Sequence, residues 1–388
     1  MKILYDHQIF TSQRYGGISR YFFELMKQFS KSDTINYELA LKYSNNFYLC
    51  NSPELCSFKM QTCVPEKKFL PGINFKGKAK ITRLLARMSI LEHSLIINKR
   101  LSVINLKSGN FDIFHPTYYD DYFLRYLGNK PYILTVYDMI HERFSGSYFK
   151  EAKSFISEKK ELIRKSSHII AISENTKKDI IDIYKIDEKK ISVVYLGNSF
   201  TNSDEGISAQ LSENYILFIG DRHAYKNFEF FIKAIAPLLL HEKEIFLVCA
   251  GSVDFSAGEN ALIEHLGISE KVIHLPLVND ATLSALYRKA LCFVFPTLYE
   301  GFGIPVLEAF ACGCPALLSN TSSLPEVGGN AALYFNPEDS ESILETVKSV
   351  VYSSELADKL RQKGYKQLKK FSWERCAFET RSVYEKVL

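Results

Sequence analysis

No run in the chain approaches the roughly 18–20 consecutive apolar residues that cross a bilayer, so the sequence carries no membrane-span signal. The N-terminus, MKILYDHQIF, has no charged segment ahead of a long apolar stretch, and no secretory leader is expected. Eight cysteines are present, Cys50, Cys56, Cys63, Cys249, Cys292, Cys312, Cys314 and Cys376, yet no C-x2-C pair with histidines following forms a zinc pattern. Cys312 and Cys314 come closest and read as structural, while Cys249 and Cys292 sit in apolar strand-like runs as small hydrophobes. A soluble protein in a reducing cytoplasm is the expectation. G-x-G-x-x-G is absent, which removes the dinucleotide fingerprint. The net charge of +4 is too small to argue for a nucleic-acid partner, and no short-period repeat is present.

What is present is a chain of 388 residues, 46% apolar and 24% charged, long enough to favour two domains over one core. Strand-like runs at 2–5, 37–42, 111–114, 132–137, 168–172 and 191–195 alternate with helical patterns, the first of them 18–29. A polar stretch, NSFTNSDEGISAQLSE, follows at 198–213 and reads as a linker. Strand–helix alternation then resumes, with strands at 215–220, 245–251, 272–275, 291–295, 315–318 and 332–335 and helices at 228–240, 341–351 and 357–371. Short βα alternation in both halves implies an α/β protein of two Rossmann-like doubly wound domains facing across a cleft, 1–197 and 214–371.

In such sheets, ligands gather at the carboxyl ends of strands. The densest motif there is PTLYEGFGIPVLEAFACG, 296–313. An apolar strand ends, Gly301 and Gly303 turn the chain, and a helix starts near Pro305, which tolerates the first turn because its missing N–H has no partner there anyway. A helix start offers backbone N–H groups and a positive dipole end to an anion. Glu300 in the loop and Glu308 in the helix stand beside that anion site, and carboxylates suit the hydroxyls of a sugar. The pattern therefore points to a nucleotide-sugar site. GDRHAYKN, 220–227, follows another strand, where Gly220 permits close backbone approach and Arg222 and Lys226 supply cations for a diphosphate. No D-x-D triplet is available to hold a divalent ion on such phosphates, and no metal is expected.

Strand ends in the first half supply Gly16-Gly17 before the first long helix, and His115, Asp138, His141 and Ser173. Residues 67–107 interleave Lys67, Lys68, Lys76, Lys78, Lys80, Arg83, Arg87, Lys99, Arg100 and Lys107 with apolar positions against one acid, Glu92. That pattern fits an ordinary amphipathic helix with a solvated basic face or one that lies on an anionic membrane surface.

The second half resembles the retaining glycosyltransferases of family 4, enzymes of the GT-B fold. The resemblance rests on FVFPTLYEGFGIPVLEAFACGCPALLSNTSSLPEVGGNAALYFNPED, with E-x7-E at Glu300 and Glu308, and covers the first half more loosely. It implies that Glu308 binds ribose hydroxyls, that Glu300 lies near the donor sugar, that Arg222 and Lys226 bind the diphosphate, and that Phe302, Gly303 and Ile304 offer backbone amides. Gly16, Gly17, Gly220 and Gly251 complete the implied donor-binding set, with His115 and Ser173 on the acceptor side. The implied catalytic residues are Glu300, Asp138, His141, Lys226 and Arg222. Many family members carry a histidine where this chain has Tyr137, just before Asp138. The closing segment, 372–388, resembles the helix that crosses back to the first domain in GT-B enzymes.

These expectations describe a metal-independent hexosyltransferase that uses a nucleotide diphosphate sugar and no other cofactor. Mannose from GDP-mannose is the leading donor and a UDP-linked sugar the alternative. The expected acceptor is a lipid-linked or other saccharide in bacterial surface-polysaccharide synthesis, at the cytoplasmic face of the inner membrane. A phosphorylase or epimerase of the same fold is a further enzyme reading, although no pyridoxal-phosphate lysine site is evident. A non-catalytic sugar-nucleotide-binding protein is the reading of another class.

Overall fold

The computed structural model describes residues 1–31, 35–52, 55, 59–60, 94–149, 152–200, 214–222, 224–251, 253–276 and 279–388. In the first half the strands are β1 (Lys2–Tyr5), β2 (Asn36–Leu39), β3 (Tyr43–Ser44), β4 (Lys59–Met60), β5 (Ile113–His115), β6 (Ile133–Val136), β7 (His168–Ala171) and β8 (Ile191–Val193). They form parallel sheets ordered β2-β1-β5 and β6-β7-β8, with β3 paired to β4. A parallel bridge from Phe114 to Tyr132 links the edges of the two larger sheets.

In the second half, β9 (Tyr215–Ile219), β10 (Phe246–Gly251), β11 (Val272–Pro276), β12 (Cys292–Phe295), β13 (Ala316–Ser319) and β14 (Ala332–Phe335) make one sheet. Its order is β11-β10-β9-β12-β13-β14, parallel throughout. Helices cover both faces, so central strands such as β9 and β12 are buried from end to end and read as unbroken apolar runs. Strand order reverses between β9 and β12. Crossovers therefore leave in opposite directions there, and the loops after these two strands part to form a crevice. Those loops are 220–227 and 296–303.

Element boundaries differ from the sequence expectation where caps and short helices intervene. The stretch read as a loop, 6–15, contains the helix Gln8–Ser12, too short to show a period but anchored by buried Ile9 and Phe10. The helix expected from about Lys177 begins at Glu174, where Ser173 accepts the Thr176 N–H as N-cap. The helix expected from Ala357 begins at Ser354, capped by Ser353. In both, the polar first turn precedes the apolar stripe, so periodicity alone starts the helix late. Most of the expected linker, 201–213, and residues 67–93 of the basic segment lie outside the described residues. The remainder of that segment falls in a helix over 94–108. Among the described residues, no helix is long and apolar enough to cross a membrane.

The last helix, Trp373–Val387, packs on the helix Gly17–Phe29 of the first half. Its Tyr384 hydroxyl lies 2.9 Å from the Tyr5 hydroxyl and 2.7 Å from His115 Nδ1, while His115 Nε2 meets Thr135 Oγ1 at 2.9 Å. His115 is fully buried in this chain of hydroxyls and is not among the residues lining the cavity between the halves, which corrects its expected place on the acceptor side. Both ring nitrogens are already bonded within the protein, which leaves neither for an acceptor. Burial pushes its pKa down to about 3.

The unfolded chain takes up this proton near pH 6.5, whereas the folded chain stays neutral to about 3, so stability should fall as pH drops through that window. His115→Gln, which keeps a donor and an acceptor, is expected to flatten the decline in urea midpoint between pH 7 and pH 5. An unchanged slope would mean that His115 does not contribute to it.

Candidate active site

Between the two halves lies a cavity of about 1050 Å³. Its walls include Gly16, Gly17 and Arg20 from the start of the first long helix, Tyr137 and Asp138 after β6, Gly220, Asp221 and Lys226 after β9, and Gly251 at the end of β10. The floor is Phe295, Glu300 to Pro305, and Glu308. Thus Gly16, Gly17, Asp138, Gly220, Lys226, Gly251, Glu300, Phe302, Gly303, Ile304 and Glu308, gathered from sequence, share one cavity.

Local structure explains the convergence. Gly220 leaves β9 at φ 105°, and Gly303 caps the helix Ile304–Ala311 at φ 99°, both in the region that favours glycine. Gly303 also has no room for a side chain, since an added Cβ would stand 2.8 Å from Leu324 Cδ2. Gly17 faces the opposite wall, where its Cβ position lies 3.4 Å from Ile304 Cδ1. The start of the helix Ile304–Ala311, with Gly303, Ile304 and Pro305, therefore stands at the cavity wall, where the positive end of a helix faces any bound anion.

Lys226 Nζ donates to Glu300 Oε1 at 2.6 Å. Burial works against the lysine's charge, but Glu300 and Tyr225 outweigh it and hold its pKa above the ordinary lysine range. The Glu300 backbone is gripped from its own half. Its N–H donates to Ser322 Oγ at 2.9 Å, and its carbonyl accepts from Ser323 Oγ at 3.0 Å. Phe302 buries its ring against Tyr195 and Phe371, leaving its backbone at the cavity wall.

Several expected residues lie elsewhere. Arg222 turns back along the sheet, donating to Glu259 Oε1 at 2.7 Å and to the Val253 and Asp254 carbonyls at 2.8 Å each. Its guanidinium also covers the Phe255 ring at 4.6 Å and does not line the cavity. These acceptors satisfy the cation within its own half, so Arg222 secures the 253–259 turn, and of the two expected cations Lys226 is the one that lines the cavity. His141 packs between the Phe149 and Phe155 rings at 4.5 and 4.6 Å, away from the cavity, and burial lowers its pKa. Ser173 is fully buried at a helix start, which corrects its expected place facing an acceptor. Asp138 does line the cavity, with Oδ1 accepting the Ile140 N–H at 3.1 Å.

The residue that sequence reasoning missed is Arg20. It comes from the first half, yet its Nη1 donates to Glu308 Oε1 at 2.8 Å and its Nη2 to both Asp280 oxygens at 2.8 and 3.0 Å. Tyr48 Oη accepts from Nε at 2.9 Å, and Tyr15 Oη accepts from Nη2 at 2.9 Å. Burial pushes the Glu308 carboxyl above its usual range, and Arg20 offsets part of that rise. Tyr287 completes the set, donating to Glu308 Oε2 at 3.2 Å. The available signal was a cation one turn past Gly16-Gly17, at the start of a helix that opens onto the expected cleft.

Two family models account for most of this chain. A model for glycosyltransferase family 4 matches residues 80–198, and one for glycosyl transferases group 1 matches residues 199–367. The chain belongs to the family 4 glycosyltransferases. An uncharacterised glycosyltransferase of Methanocaldococcus jannaschii is 28% identical to this family 4 chain over 344 residues, 83% of this chain and 87% of that one. The O-antigen chain mannosyltransferase RfbU of Salmonella typhimurium is 34% identical over 188 residues, 48% of this chain and 52% of that one. Among solved structures, Anabaena HepE in complex with UDP and glucose superposes with a TM-score of 0.70 at 15% identity, covering 99% of both chains. That likeness shows the GT-B fold of this glycosyltransferase, with its cavity between two facing α/β halves.

Removing one partner of a buried ion pair leaves an uncompensated charge and costs about 3–5 kcal/mol. Arg20→Met is therefore expected to lower the urea midpoint strongly at pH 8. With Arg20 gone the Glu308 pKa rises further, so the folded state gains a proton as pH falls and the deficit shrinks toward pH 5. A deficit independent of pH would separate Glu308 ionisation from the loss.

Proposed function

We propose that this chain transfers a hexose from a nucleotide diphosphate sugar to a lipid-linked or saccharide acceptor, with retention at the anomeric carbon. The observation that carries the reading is the Lys226–Glu300 pair, 2.6 Å apart, beside the open N-terminus of the helix Ile304–Ala311. A cation and free backbone N–H groups suit the diphosphate, and a carboxylate next to them suits the hydroxyls of the attached sugar. Glu308, one turn into the helix, keeps acceptor capacity for ribose even with Arg20 and Tyr287 bonded, because each carboxylate oxygen carries two lone pairs.

The step is a displacement on one face of the sugar. The bond from the anomeric carbon to the diphosphate oxygen breaks, and the bond to the acceptor oxygen forms on the same side. The acceptor's proton passes to the departing phosphate oxygen, so no nucleophile from the protein is required. Lys226 and the helix N-terminus stabilise charge on the leaving group as it develops, and no metal is called on.

Mannose from GDP-mannose is the favoured donor, on the strength of the Salmonella relative named as an O-antigen chain mannosyltransferase, and a surface polysaccharide is the corresponding product. A UDP-linked sugar is the alternative, favoured by the fold relative that holds UDP and glucose. A membrane-bound acceptor is supported by the helix over 94–108, whose exposed stripe runs Ile96, Arg100, Ile104 and Lys107. Apolar and basic groups on one face suit an anionic bilayer at the cytoplasmic side.

Stabilisation by GDP-mannose and by UDP-glucose in a thermal-shift screen separates the two donors, since a ligand of the native state alone raises stability as RT ln(1 + [L]/Kd). Glu300→Gln and Lys226→Ala are each expected to cut donor turnover by about a hundredfold or more, with EDTA leaving the wild-type rate unchanged. Unaltered turnover in both variants would sink the enzymatic reading. Arg100→Glu with Lys107→Glu should weaken binding to anionic liposomes, and binding at low salt that ignores both changes would sink the membrane reading.

A further inference from the structure

The Glu300 loop is held from both halves of the molecule, and the first half grips it at the two residues that flank Glu300. On one side, the Tyr299 hydroxyl donates to Asp179 Oδ2 at 2.5 Å and lies 3.3 Å from Asn175 Nδ2. On the other, the Gly301 carbonyl accepts from Ser173 Oγ at 2.7 Å and from Thr176 Oγ1 at 3.3 Å. All four partners belong to the helix Glu174–Tyr184 or to its N-cap. The same helix start receives an acid from the second half, since Glu326 accepts the Glu174 N–H at 2.7 Å and the Asn175 N–H at 3.2 Å.

Gly301 marks how closely the halves approach. Its φ is not positive, so backbone conformation does not demand glycine there. Space does, because an added Cβ would stand 1.7 Å from the Tyr137 carbonyl oxygen, across the cleft. With the halves apart, Glu300 would retain Ser322, Ser323 and Lys226, and the Tyr299 carbonyl would keep Thr297 Oγ1 at 3.0 Å, but the Tyr299 hydroxyl and the Gly301 carbonyl would lose their partners on the first half.

We propose that Ser173, backed by Thr176, is a positioning residue for the transfer reaction: its hydroxyl seats the Gly301 carbonyl as the halves close and so sets Glu300 against the reacting sugar. This rests on the glycosyltransferase reading above. Lys226, Glu308 and the helix N-terminus do not touch Ser173, so nucleotide binding does not run through this hydrogen bond. Turnover does, so the contact makes reaction conditional on closure.

Ser173 also caps its helix, and substitutions must keep the cap. Ser173→Asp retains an acceptor for the Thr176 N–H but has no hydrogen to give Gly301 and repels its carbonyl. Ser173→Asn can accept with its oxygen and donate with its amide. Release of GDP from GDP-mannose, or of UDP from UDP-glucose, would be followed in the presence of acceptor, with calorimetric Kd for the free nucleotide. Misplacing a reacting group by about 1 Å costs on the order of a hundredfold, so Ser173→Asp should lose about that factor in kcat with nucleotide Kd unchanged within about twofold. Ser173→Asn should recover most of it. Gly301→Ala approaches the contact from the other side and should reproduce the loss in kcat. Wild-type kcat in Ser173→Asp or in Gly301→Ala overturns the proposal, as does equal loss in the Asp and Asn variants. A wild-type enzyme that binds nucleotide yet turns over neither donor overturns the transferase reading beneath it.

Discussion

One guanidinium holds the cleft together. Arg20 leaves water almost completely to meet Glu308 and Asp280 from the opposite half, with two tyrosine hydroxyls filling its remaining hydrogen-bond positions. An isolated charge so buried would be costly, and so would Glu308 without it. Each group is tolerable only while the other is present. The charge balance around Glu308 therefore belongs to both halves together.

That dependence is possible because the sheets deliver backbone, not side chains, to the cleft. The reversal of strand order between β9 and β12 opens a crevice, and glycines line it wherever chain must lie against chain. Gly303 gives way to Leu324 and Gly301 to the Tyr137 carbonyl, while Gly17 stands in ordinary contact range of Ile304. The apolar core beneath is shared: one cluster of buried residues includes Tyr5, Phe114 and Ile170 with Val306, Phe310 and Tyr384. The charged groups sit on top of this frame, where a few ångströms of separation between the halves would hydrate them.

The sequence made the second half readable because its strands are buried on both faces and its site residues lie within a few positions of glycine turns. Lys226, Glu300, Gly303 and Glu308 all fall in that category. The limits are physical as well. Arg222 has the right charge at a strand end, but the carbonyls of Val253 and Asp254 and the Glu259 carboxylate lie within its reach, and sequence spacing does not reveal acceptors thirty residues away. His115 occupies a strand end in the first half, but nothing in its neighbourhood in sequence announces Tyr384. Ser173 was legible as a strand-end polar residue, not as an N-cap whose hydroxyl reaches across to Gly301. Arg20 was hidden because its partners, Asp280 and Glu308, lie in the other half of the chain.

The chain passes between the halves twice, once after β8 and once before the last helix, and the two passages touch. Gly197 lies so close to the second that a Cβ would meet the Trp373 backbone nitrogen at 2.3 Å, and the Tyr195 and Phe371 rings stand 5.6 Å apart. Trp373 Nε1 ties them further by donating to Ser199 Oγ at 2.9 Å. Two bodies joined by one tether can tumble in any direction, whereas two joined by adjacent tethers turn about the line between them. The described residues of the two passages are thus fastened to each other at Gly197, Ser199 and Trp373, and the halves share that one seam.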